Sequence, residues 1–351
     1  MLAGVLRAAF AVVAAFLADV AAAANTPAPP STDVPIIGIL TTPLEGSRCV
    51  TASAGARAAG ARGGGSCFHS LYVKWIESAG GRVVPILYDL PAEELDALVG
   101  SLNGVLFTGG ETNVTDLSSG YMAAAGRLLR RTLEASAAGE HVPLWATCMG
   151  IQTLSVLVAD DPSVLEVDAF DSEALALPLE LPALSVVRES RLLRSLPPEV
   201  LGWLLAENIT VNLHHDGVSP ATYRSNRKLY DFFRVVSTNV DRRGRPFVST
   251  VEGRAAPVYA VQWHPERNQF QFRSEDGISH GPHAIRAMQA MANFFVDEAR
   301  LNGRHFATAH EERERLIYNY APSGAVGDSY QAYVFPPAGL RRESAGAALL
   351  V

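Results

Sequence analysis

Pro143-Leu144-Trp145-Ala146-Thr147-Cys148-Met149-Gly150-Ile151-Gln152 joins an apolar run to the start of a helical pattern, with a single Cys at the join. The Gly two residues later allows a tight turn, and Ile151 to Leu157 continues as a helix start. A thiol held on such a turn is exposed and lies at the positive end of the helix. Backbone N–H groups there also cradle an oxyanion. An isolated Cys on a core strand is more often simply packed, so the window needs partners elsewhere in the chain. It already sets the architecture, because a strand running into a helix is the unit of an α/β sheet.

The chain on either side repeats that unit. Upstream, Val34 to Leu40 reads as a first buried strand and Ser70 to Ala79 as a helix stopped by Gly80-Gly81. Arg82 to Leu87 is a second strand, Pro91 to Val99 a helix with acids in its first turn, and Asn103 to Thr108 a third strand ending in Gly109-Gly110. A long Ala/Leu/Arg helix lies within Tyr121 to Ala138. Downstream the pattern turns β-like over Leu179–Val187, Asn208–Leu213, Arg234–Asn239 and Phe247–Glu252. Pro257 to Trp263 is another core strand, emptying into His264-Pro265-Glu266. A helix over Ala284–Leu301 and a strand near Tyr330–Phe335 finish the pattern. Short connections between alternating strands and helices predict an α/β fold: a mainly parallel central sheet, helices on both faces, right-handed crossovers. Ligands bind at the ends of such strands, so Gly109-Gly110 and Cys148 are expected on one rim.

Of 351 residues, 48% are hydrophobic, enough for one large domain or two small ones; the pattern is read as one catalytic domain over 34–337. The net charge of −7 and the lack of a long basic block offer no sign of a nucleic-acid surface. Residues 1–24 read as a signal peptide: Arg7 precedes the apolar run Ala8–Leu17, and Ala22-Ala23-Ala24 offers a cleavage site. An uncleaved N-terminal anchor is the competing reading; no later stretch is long enough to span a bilayer. Residues 25–33 read as a flexible lead-in, 51–66 as a low-complexity surface insertion, and 338–351 as a disordered tail. A secretory route makes the sequons at Asn113 and Asn208 compatible with glycosylation. It also leaves one of three Cys unpaired or paired between chains. The economical arrangement joins Cys49 to Cys67 and leaves Cys148 free.

A Cys nucleophile needs a base, and the base an orienting partner. His264 follows a core strand onto the same rim, and Glu266, two residues later, leaves an extended segment on the same face. Alone, a His-Pro is more often a surface turn; beside the Cys148 window the balance reverses.

These features resemble the class I glutamine amidotransferase-like superfamily: Cys148-x-Gly150-x-Gln152, the Gly pair after the third strand, and His264-Pro265-Glu266. Tyr72 to Gly80 and Asp276-Gly277-Ile278-Ser279-His280 narrow the resemblance to the folate γ-glutamyl hydrolase family, over most of Val34 to Phe335. The resemblance implies a flavodoxin-like sandwich with Cys148 as nucleophile, His264 as base and Glu266 as third member. It also implies an oxyanion hole near Gly110 and Met149, with His214 helping to position substrate. A metal at His214-His215 would need a third ligand that the sequence does not offer. The reaction so implied is cleavage of γ-glutamyl amide bonds in folate poly-γ-glutamates through a thioester. It needs no metal or organic cofactor. Its partners are a small-molecule substrate and, within the family's reach, a second copy in a homodimer. No nucleic acid is involved, and no membrane after signal cleavage. The destination is secretion, lysosome or vacuole. Arg224, Arg227 and Lys228 are candidates for the substrate carboxylates, against the commoner fate of a solvated charge run. One departure stands out: Gln152 occupies a position where the hydrolases carry Glu. Gln there resembles the amidotransferases, so a glutaminase or amidotransferase of the same fold is the rival reading. A catalytically inactive binding protein is the more distant one.

Overall fold

The computed structural model describes residues 32–45, 47, 49, 64–272, 276–322 and 330–340. The expected signal peptide, the lead-in up to Ser31, residues 51–63 of the expected insertion and 341–351 of the expected tail lie outside these. The strands are β1 (Ile36–Leu40), β2 (Thr42–Pro43), β3 (Ser66–His69), β4 (Arg82–Ile86), β5 (Gly104–Phe107) and β6 (Leu144–Thr147). They continue as β7 (Ser172–Leu177), β8 (Thr210–His214), β9 (Phe233–Val240), β10 (Pro246–Gly253), β11 (Val258–Val261) and β12 (Ala332–Phe335). Between them run α1 (Ser70–Ser78), α2 (Ala92–Val99), α3 (Gly120–Ala137), α4 (Met149–Ala159), α5 (Val186–Glu189) and α6 (Arg191–Ser195). Then come α7 (Pro198–Ala206), α8 (Pro220–Ser225), α9 (Arg227–Phe232), α10 (Pro282–Ala299) and α11 (Ala309–Arg315).

Seven strands form the central sheet in the order β4-β1-β5-β6-β11-β10-β9. All pairings from β4 to β11 are parallel, and β10 and β9 add an antiparallel edge. Alternate residues of each central strand enter opposite cores, as the two-residue period of a strand requires. Ile37, Ile39, Leu106, Trp145, Tyr259 and Val261 face α1, α7 and α10. Ile36, Leu40, Val105, Phe107, Leu144 and Ala146 face α2, α3 and α4. The first core is built on aromatics: the Trp75 and Trp145 rings are 5.4 Å apart and Trp145 and Phe295 5.7 Å. Each indole N–H finds an acceptor, Met288 O at 3.2 Å and Thr147 Oγ1 at 3.0 Å, so no donor is stranded in apolar surroundings.

The opposite end of the sheet is latched by Asn103. Its Oδ1 accepts from Ile36 N at 2.8 Å, and its Nδ2 donates to Asn302 Oδ1 at 3.0 Å and Arg304 O at 3.0 Å. Asn103→Ala leaves several buried polar groups unpaired. It is expected to lower the unfolding free energy by about 2–4 kcal/mol in urea titration. Activity of the folded variant should be unchanged, because the latch lies across β5 from the rim.

Three segments depart from the sequence reading. Ser66, expected in the insertion, pairs with Pro43 and Phe335 in a small second sheet, β12-β3-β2, while Leu44 N donates to Gly65 O. Ala338, expected in the tail, is buried, its N–H on Asp89 Oδ2 at 2.9 Å. In both places small residues hide a fold that rests on backbone hydrogen bonds. The β pattern over Leu179–Val187 yields only a single bridge, Glu180 with Thr238, and Val186–Glu189 is helical. Cys49 and Cys67 are joined in a disulfide with Cα atoms 6.5 Å apart, and Cys148 is free. No helix among the described residues is long and apolar enough to cross a membrane.

Candidate active site

Cys148 sits between β6 and α4 with φ 53° and ψ −109°. A residue with a Cβ reaches such torsions at a cost of about 1–3 kcal/mol, met only where the surroundings enforce them. Here its N–H donates to Val261 O at 2.8 Å and its carbonyl accepts from Ile151 N at 3.0 Å. Gly150 makes the turn fit: a Cβ there would stand 2.8 Å from Phe107 O and 3.0 Å from Ala146 Cβ. Contrary to the exposed elbow expected from the sequence, the Cys148 residue is only 5% exposed. Burial pushes its thiol up to about 12, Glu266 adding to the rise and Arg267 and the Met149 N–H opposing it. The resting group is therefore a thiol, and attack by sulfur requires a base.

His264 supplies the geometry of one. It is tied to β8 through its N–H on Val211 O at 3.0 Å, and its Nδ1 donates to Glu266 Oε1 at 2.7 Å. That bond leaves Nε2 as the bare nitrogen, buried without a hydrogen-bond partner. Burial, and then Arg267, holds the imidazole below its ordinary 6.5, so it rests neutral. Burial would raise the Glu266 carboxyl, but His264 and Arg267 outweigh it and keep the group ionised. Gly109 reports how closely these parts meet: a Cβ there would lie 2.9 Å from His264 Cε1, 2.9 Å from Tyr72 Oη and 3.2 Å from Cys148 Cβ.

Around Cys148 the sequence-predicted residues fall as follows. The Met149 N–H points at the thiol, and Gly110, exposed, lines both cavities that open beside Cys148. The Gly109 N–H is spent on Tyr72 Oη at 2.7 Å. Gln152 Nε2 and His214 Nδ1 both donate to Asp216 O at 2.9 Å. A carbonyl only accepts, so His214 carries its proton on Nδ1 and presents a bare, buried, unpartnered Nε2. Burial pushes that imidazole down to about 3, so it remains an acceptor across the physiological range. His215 is exposed instead, 3.7 Å from Glu173. The sequon residues Asn113 and Asn208 are exposed, Asn113 on the wall of the larger cavity. Among the described residues no cluster of His, Cys, Asp or Glu is arranged to hold a metal.

The cations expected at the substrate lie elsewhere. Arg227 pairs with Asp231 at 2.6 Å and Lys228 with Asp160 at 3.4 Å, while Arg224 is exposed at the end of α8; none lines either cavity. Arg267, one residue past Glu266, is the Arg that faces Cys148. It was legible as a neighbour of the His-Pro-Glu motif. Gly109 lies on the rim where the sequence puts it, but its contact with Tyr72 was not legible, because only the fold brings α1 to the β5 turn.

Thiol, imidazole and carboxylate meeting at the rim of a mainly parallel sheet define a class, the cysteine-dependent hydrolases of the class I glutamine amidotransferase-like fold. Comparison with known proteins narrows it. Residues 35–266 match the family model described as Peptidase C26. The chain is 41% identical over 266 residues to the gamma-glutamyl hydrolase of Rattus norvegicus, a match covering 75% of this chain and 81% of that one. It is 37% identical to that of Homo sapiens over the same shares. With gamma-glutamyl hydrolase B of Dictyostelium discoideum identity is 34% over 306 residues, 86% of this chain and 83% of the other. The chain belongs to the peptidase C26 family of γ-glutamyl hydrolases.

Proposed function

We propose that the protein cleaves γ-glutamyl amide bonds of folate poly-γ-glutamates with Cys148 as nucleophile, through a thioester. The observation that carries the reading is the His264–Glu266 bond of 2.7 Å, which leaves a bare imidazole Nε2 in the group packed around Cys148. As Cys148 Sγ attacks the γ-carbonyl, its proton passes to His264 Nε2. The oxyanion is held by the N–H groups of Gly110 and Met149. His264 then protonates the leaving amine as the C–N bond breaks, and activates water against the thioester. Glu266 fixes the tautomer and stabilises the imidazolium. His214 accepts from a substrate N–H in the larger cavity, about 480 Å³ in volume, which Gln152 also lines.

Gln152 is the residue that favours free glutamine as a rival substrate. One of its two amide N–H groups is committed to Asp216 O, which leaves the other and Oε1 for a ligand. Offering purified protein a pteroyl-poly-γ-glutamate and, separately, glutamine decides between them: polyglutamate is expected to be shortened, and cleavage of glutamine alone overturns the reading. Residues 1–24 direct the chain into the secretory pathway in this account, and Asn113 and Asn208 carry glycans there. Intact mass before and after an N-glycosidase checks both.

A pH dependence follows. The working resting form pairs a thiol with a neutral imidazole, and His264 lies below its ordinary 6.5 because burial disfavours the cation. Protonation of His264 removes the base, so activity is lost as pH falls through that lowered value. The acid limb of kcat/KM is therefore expected below pH 6.5; a limb centred above it contradicts the assignment.

A further inference from the structure

Cys148 stands between two cavities that share Gly110, Glu111 and Leu213. The larger runs past Gln152 and His214; the smaller, about 50 Å³ and half open, is lined by His264 and Arg267. His264 does not line the larger one. On the hydrolase reading, on which this inference rests, the leaving nitrogen takes its proton from His264. The leaving group therefore occupies the smaller cavity, and the glutamyl group that becomes the thioester occupies the larger.

Among the described residues lining the smaller cavity, Arg267 is the only Arg or Lys. Its side chain is 11% exposed, with Nη1 donating to Gln271 Oε1 at 2.5 Å. Gln271 in turn donates to Asp276 Oδ2, so the guanidinium is fixed from behind by the Asp276–His280 segment. Its Nε lies 3.4 Å from Glu266 Oε1 without the alignment of a hydrogen bond. That oxygen is already committed to His264 at 2.7 Å. The buried charge of Arg267 is thus only partly matched, and it faces a space large enough for a carboxylate.

We propose that Arg267 binds the α-carboxylate of the leaving amino acid, and so selects γ-glutamyl bonds to amino acids over bonds to ammonia or neutral amines. That carboxylate is two bonds from the nitrogen His264 protonates, and Arg267 lines the same cavity as His264. Arg267 forms no bond to a reacting atom; it is a specificity residue.

The test is a matched pair of probes: pteroyl-glutamyl-γ-glutamate and the same molecule with the α-carboxyl of its leaving glutamate converted to a carboxamide. Wild type is expected to prefer the carboxylate by about 10- to 100-fold in kcat/KM, the scale of one charge-assisted hydrogen bond. Arg267→Gln should bring that ratio close to one, and Arg267→Lys should restore much of it. Equal cleavage of both probes by wild type overturns the inference alone, with the hydrolase reading intact. Cleavage of neither overturns both. An Arg267→Gln variant that slows both probes by the same factor also overturns it, since Arg267 would then act only through Glu266. The wild-type comparison is decisive even where a variant does not fold.

Discussion

Cys148→Ala is expected to lower kcat on γ-glutamyl substrates by about 10⁴-fold or more, the usual consequence of deleting a nucleophile from a triad whose members act as a unit. Binding should persist, because the variant removes one sulfur and leaves Gln152, His214 and Arg267 in place. Isothermal titration with uncleaved substrate against Cys148→Ala, beside steady-state rates, measures both. Stability should change little, since Ala inherits the φ of 53°. Cys148→Gly relieves that torsion and should be about 1 kcal/mol more stable than Cys148→Ala, although equally inactive. The pair separates the chemical role of the residue from the strain at its position. Full turnover by Cys148→Ala would remove the nucleophile assignment.

Gly109→Ala is the second large effect, because it perturbs the site without touching a reacting atom. The added methyl would meet His264 Cε1 and Tyr72 Oη at 2.9 Å and Cys148 Cβ at 3.2 Å. None of these is the free end of a flexible chain: His264 is held by Glu266, Tyr72 by the Gly109 N–H, and Cys148 by its turn. Something must shift by several tenths of an ångström, where a misplacement of about 1 Å costs about 100-fold in rate. Gly109→Ala should therefore lose kcat about 10- to 100-fold with a modest fall in thermal stability. The smaller loss expected of Gly110→Ala marks the contrast, since its methyl would meet the end of the flexible Met149 side chain at 3.2 Å.

The strands that carry chemistry were readable because burial on both faces forces unbroken apolar runs, as in Leu144–Thr147 and Val258–Val261. Cys148, His264 and Glu266 each follow such a run closely, so the topology that aligns β6 beside β11 also gathers these three side chains. What the sequence did not disclose depends on distance through space. Tyr72 is one apolar-face residue of a helix among many, and only the closure of α1 over the β5 turn sets its hydroxyl on Gly109. The tautomer of His214 depends on a carbonyl two residues away turning back toward its ring. The basic segment after His214 drew attention by its charge, yet its Arg227 and Lys228 serve local acids on the surface. Arg267, with a single charge beside the motif, is the cation at the site. Charge density in sequence was a poor guide there; adjacency to a strand end was a good one.

The most direct measurement is acid quenching of wild-type enzyme within milliseconds of mixing with a pteroyl-poly-γ-glutamate, followed by peptide mass analysis. The account predicts a transient acyl adduct, labile to hydroxylamine, on the peptide containing Cys148. Turnover with no adduct at Cys148, or with the adduct on another residue, would contradict it.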